Sequence, residues 1–145
     1  METIERTMAS DHARCDELFT GAEDAVSDGE WEQGAARFAA FDDAIQRHFK
    51  MEEEVLFPDF EDATGTTAGP TEIMRSEHTQ MRDLLYRMNA ALEQRDQDDY
   101  LGYSETLLII MQQHNAKEEQ MLYPMADQVL GPDVDEVIRS MEAVS

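Results

Sequence analysis

His48-Phe-Lys-Met-Glu52-Glu-Glu-Val-Leu-Phe-Pro58 returns 66 residues later as His114-Asn-Ala-Lys-Glu118-Glu-Gln-Met-Leu-Tyr-Pro124. The same shift lays His12 on His78, Met8 on Met74, Cys15 on Met81 and Phe19 on Leu85. Self-similarity at one fixed offset marks two copies of one supersecondary unit. Each copy pairs a helix bearing a single histidine with a helix bearing His-x-x-x-Glu.

Around these motifs the apolar residues recur with the 3.6-residue period of amphipathic helices. Four segments are predicted, over about 3–27, 30–60, 71–95 and 98–128, the third with Thr71 as its N-cap. Their inward stripes run Met8-His12-Cys15-Phe19, Phe41-Ile45-His48-Glu52-Val55, Met74-His78-Met81-Leu85 and Met111-His114-Glu118-Met121-Met125. A short fifth helix over about 133–143 follows the Gly131-Pro132 break. No segment alternates with period two. Short connections make successive helices antiparallel neighbours. The expected fold is all-α: an up-down-up-down four-helix bundle of two similar hairpins, in a single domain spanning 1–145.

Composition excludes several function classes. The chain carries 33 Asp plus Glu against 11 Lys plus Arg, a net charge of -22. Such a surface repels nucleic-acid phosphate and anionic lipid, so neither partner is expected. No apolar run approaches the length of a membrane span, and the N-terminus lacks the pattern of a signal peptide. One cysteine, Cys15, forms no internal disulfide, which makes a reducing cytoplasm the default expectation. Only Lys50 and Lys117 are lysines. Few lysines among many acids fits a high-salt cytoplasm or a GC-rich genome about equally.

All four histidines fall on core-facing stripes. A lone histidine there is more often a hydrogen-bonded core residue than a ligand, and a single His-Glu pair at i, i+4 can be a local ion pair. Neither explains two such pairs with identical spacing. Height within the bundle adds an independent argument. In antiparallel helices, residues equidistant from a turn are level. The midpoints between positions 12, 50, 78 and 116 fall at 31, 64 and 97, each in or near a connection. His12, His48, Glu52, His78, His114 and Glu118 therefore share one layer and are the expected metal ligands. Imidazole and carboxylate suit iron, manganese or zinc. Six side chains exceed what one ion with an open site takes. Two carboxylates from opposite helices can bridge two ions, each holding two histidines.

The paired motifs also resemble those of hemerythrin-like domains, the HHE cation-binding family, over roughly residues 5–130. The resemblance implies a non-haem di-iron site. His12, His48, His78 and His114 would be terminal ligands and Glu52 and Glu118 the bridges. It further implies two iron ions, joined by oxide or hydroxide when oxidised. Oxygen-carrying relatives have a fifth histidine four residues from the third-helix histidine. Here those positions are Met74 and Arg82. Carriers also place an Asp where this chain has Glu119. The four-His, two-Glu set looks more like the domain of iron-centre repair proteins, without their cysteine-bearing segment.

Three functions follow as expectations. The first is a di-iron protein that binds or reacts with dioxygen, peroxide or nitric oxide, with an unidentified electron donor. The second is a carrier, sensor or iron reservoir. The third is a bundle with structural zinc. Monomer and homodimer are both open. Glu53, Glu54 and Glu119 are candidates to orient ligand imidazoles. Cys15, Phe57, Tyr123 and Trp31 are expected to pack, and Pro58 and Pro124 to kink or end their helices. Tyr86 and Tyr103 are candidates to guard the site.

Overall fold

A computed structural model describes residues 2–145. Helix α1 spans Ile4–Ser27, capped by the Thr3 side chain accepting from Arg6 N–H. Helix α2 spans Trp31–Met51 and runs through a π turn, Glu52–Leu56, into α3, Phe57–Thr64. Helix α4 spans Pro70–Glu93. Helix α5, Gln97–Lys117, passes through a second π turn, Glu118–Leu122, into α6, Tyr123–Leu130. A 3-10 turn leads to α7, Val134–Glu142. No strand occurs among the described residues.

Helix α1 packs on α2 and α5, and α4 packs on α5 and α2, closing a ring of four antiparallel helices as expected. The crossing of α1 and α2 is close at Gly34, where a Cβ would come within 2.9 Å of Val26 Cγ2. Arg47 holds the chain end to the bundle by donating to the carbonyls of Glu142 and Val144.

Two expectations are corrected. The third long helix has Gly69, two residues earlier, as its N-cap. Thr71 is buried instead, its hydroxyl donating to Glu61 at 2.7 Å. The prolines do not end their helices, which continue through Pro58 and Pro124. Phe57 N–H bonds to Glu52 O and Tyr123 N–H to Glu118 O, each spanning five residues instead of four. In a regular helix a proline ring collides with the carbonyl four residues back. Widening the turn just before Pro58 and Pro124 relieves that collision and lets the helix continue.

Each π turn also advances the inward face by one residue. The inner positions beyond the turns become Leu56, Phe57 and Phe60, then Leu122, Tyr123 and Ala126. Met121 and Met125, expected on the inward stripe, are 60% and 40% exposed, and Val55 is only half-buried.

The core forms two apolar blocks. One lies towards the short turns, around Phe19, Phe38, Phe41, Leu85 and Leu107. The other lies towards the opposite end, around Met8, Leu56, Phe57, Leu122 and Tyr123, and is closed by α7. Between them runs a single polar layer.

Candidate metal centre

That layer holds His12, His48, Glu52, His78, His114 and Glu118, none more than 4% exposed. The structure thus brings together all six residues singled out from sequence. They cluster as two overlapping groups of donor atoms: Glu52, His78, His114 and Glu118, and His12, His48 and Glu118.

Each imidazole turns Nδ1 away from the centre towards a carboxylate. His12 meets Glu119 at 2.7 Å, His48 meets Asp11 at 2.7 Å, His78 meets Glu53 at 2.7 Å and His114 meets Glu77 at 2.8 Å. The four obey the repeat. Asp11 and Glu77 directly precede the single histidines, while Glu53 and Glu119 directly follow the inner glutamates. A charged carboxylate only accepts, so each Nδ1 donates its proton outward and each Nε2 is left facing the interior. Glu119 therefore supports the centre from outside, and Glu118 enters it. Glu54 is exposed and supports nothing.

Three of the outer carboxylates are held below the usual range. Burial opposes this; the histidine bonds outweigh it at Asp11 and Glu53, aided by Arg14 and Arg82, and at Glu77 the Lys117 bond does so, aided by His114. Glu53, gripped by two Arg82 bonds of 2.8 and 2.9 Å, falls to about 2. Arg82 stands four residues after His78 and does not face the centre.

The inner atoms crowd together. His78 Nε2 lies 3.0 Å from Glu52 Oε1, and His12 Nε2 lies 3.1 Å from Glu118 Oε1. His48 Nε2 is 3.7 Å from Glu52 Oε1. His114 Nε2 lies 3.2 Å from Glu118 Oε1 without the alignment of a hydrogen bond. It and Glu118 Oε2 are buried with no hydrogen-bond partner. Burial and the adjacent Glu118 charge push the Glu52 carboxyl up. Glu118 stays well below the usual range: burial opposes this, and the bond from Glu52, the adjacent His114 charge and the bond from His12 outweigh it. Burial depresses His78, but Glu52 and Glu53 more than reverse this and raise it to about 9. His12 and His114 are raised in the same way, through Glu118.

These observations fit a metal. Two buried ligand-type atoms lack partners, every Nε2 points inward, and two buried carboxylates draw positive charge to the centre. An unpaired buried carboxylate is costly, and metal ligation is one of the few ways to offset it.

One residue near the centre was not anticipated. Tyr123 was expected to pack, and its ring is fully buried. Its hydroxyl, however, lies 2.7 Å from Glu52 Oε2, 2.9 Å from Glu118 Oε1, 3.2 Å from His12 Nε2 and 3.4 Å from His48 Nε2. The π turn aims it there. Five residues beyond Glu118, a regular helix would turn it off the inner face. The available signal was the pairing of Tyr123 with Phe57 across the repeat, the one aromatic pair that differs by a hydroxyl. Phe57 packs on the His78 ring at 5.7 Å. Tyr86, expected as a guard, is 76% exposed. Cys15 is buried in the apolar block and belongs to neither donor group.

No curated protein and no solved structure gives a significant match. The family model described as Hemerythrin HHE cation binding domain matches residues 3–126. That span contains all six buried donors and both hairpins, so the chain belongs to the hemerythrin HHE cation-binding family and is a metal-binding helical bundle.

Proposed function

We propose that the layer holds two iron ions and binds or reacts with a small oxidant or ligand: dioxygen, peroxide or nitric oxide. The observation that carries this is the doubling of the donor set. His78 and His114 face one side of the Glu52–Glu118 pair, and His12 and His48 face the other. Glu118, which belongs to both donor groups, would serve both ions, Glu52 would serve the His78–His114 side, and the histidines would hold one pair each. Iron bound there would supply one-electron chemistry and coordination positions beyond those the protein fills. The chain's own part is to fix the imidazoles through four outer carboxylates and to keep bulk water out with an apolar block on each side. A cavity of about 10 Å³ beside His12 and His48, walled by Phe49, Met81 and Met111, lies at the lower limit for a single water molecule.

The test is metal analysis of purified protein, then absorption spectra of the reduced form with each candidate ligand. About two irons per chain are expected, by analogy of donor number with two-metal sites. Zinc alone, or one ion per chain, would refute the proposal. A stable reversible oxygen adduct would identify a carrier, and oxidation with peroxide consumption would identify an enzyme.

A further inference from the structure

The two halves of the centre are related by the repeat but are not chemically alike. The His78–His114 half gathers two imidazoles and both inner carboxylates. The His12–His48 half gathers two imidazoles and Glu118 only. What stands where a fourth donor would be is the Tyr123 hydroxyl. Its separations from the surrounding donors, 2.7–3.4 Å, are comparable to those among the donors themselves, 3.0–3.7 Å. The repeat puts Phe57 at the matching place in the other half, and a phenyl ring offers no donor.

The outer supports are unequal in the same direction. Glu53, behind His78, is clamped by Arg82. The repeat counterpart of Arg82 is Asp16, which repels Glu119 behind His12. The side chain of Glu119 is 38% exposed against 23% for Glu53. The His78 imidazole is therefore the more firmly held of the two.

We propose that Tyr123 is a metal donor for the His12–His48 half alone, and that the two ions enter in order, the His78–His114 half first. This rests on the two-ion proposal above. A half with two carboxylates and a clamped imidazole attracts a divalent cation more strongly than one that substitutes a phenol for a carboxylate. Binding in the second half would require the hydroxyl to give up the hydrogen bond it donates to the inner carboxylates and turn a lone pair to the ion, its proton passing to solvent.

The test is an anaerobic titration of the metal-free full chain with Co²⁺, followed by calorimetry and by the visible absorption of the bound ion. Wild type should bind two ions in two resolved steps. Tyr123→Phe keeps the buried ring, and should leave the first step within about twofold while weakening the second at least tenfold. His48→Ala should retain one ion with the first-step spectrum, and His114→Ala should lose that step. Two indistinguishable steps in wild type would overturn the proposed order. A Tyr123→Phe chain whose second step is unchanged, strengthened, or weakened equally with the first would overturn the donor role. In both cases the two-ion centre itself survives. A wild-type chain that binds fewer than two ions would instead remove the two-ion proposal.

Discussion

The outer carboxylates are the least conspicuous residues of the centre and among the most consequential. Each fixes one imidazole tautomer, and loss of such a partner commonly lowers metal affinity 10–100-fold. Glu53→Gln and Glu77→Gln should each weaken the His78–His114 half by about that factor, measured by competition with a chromophoric chelator, with helix content unchanged. Glu54→Gln, one residue from Glu53, should change nothing. Cys15 gives a second check at this scale. Burial, followed by the Asp11 charge, pushes its thiol up to about 12, so the reactive thiolate is scarce at neutral pH. Alkylation at pH 8 should be slow in the native protein and fast in denaturant. Rapid native labelling would contradict the packed environment. The six inner ligands could be read from sequence because repetition and levelness in the bundle are independent arguments that agreed. Tyr123 could not, since its role depends on where a hydroxyl points, and 3.6-residue periodicity turns it away.

At the scale of elements, the long helices and their pairing were legible because apolar stripes and short turns leave few alternatives. The π turns were not, since one inserted residue leaves the local composition unchanged. Their effect on register is directly testable. Regular periodicity buries Met121 and Met125, whereas the π turn buries Leu122 and Ala126. Met121→Lys should therefore change stability by less than about 0.5 kcal/mol. Leu122→Ala should cost about 2–5 kcal/mol in urea unfolding. The reverse ranking would place the helix in the unshifted register. Gly34 tests the α1–α2 crossing. Alanine there would gain helix propensity, but its Cβ meets Val26 at 2.9 Å, and overpacking of this kind typically costs about 1–3 kcal/mol. Gly102 has nothing near its Cβ position. Gly102→Ala should be neutral or stabilising by up to about 1 kcal/mol in the same assay.

For the molecule as a whole, the charge of -22 sets the response to salt. Screening weakens repulsion between surface acids, so the melting temperature should rise with KCl. A flat or falling curve would remove the expectation of a high-salt origin. Metal should act more strongly than salt. An ion held only by the native state at 100 times its dissociation constant adds about 2.7 kcal/mol, roughly 5–10 °C for a chain of this size. Chelation should lower the melting temperature by about that much, and re-addition of the ion should restore it. The donor sets carry a mechanical consequence. One half takes its histidines from the first hairpin and Glu118 from the second, and the other takes its histidines from the second and Glu52 from the first. Either ion is thus a rivet through both halves of the chain, which otherwise meet covalently only at the exposed connection over 65–69. A protease nick in that connection should leave two fragments that travel as one particle when loaded and come apart when stripped.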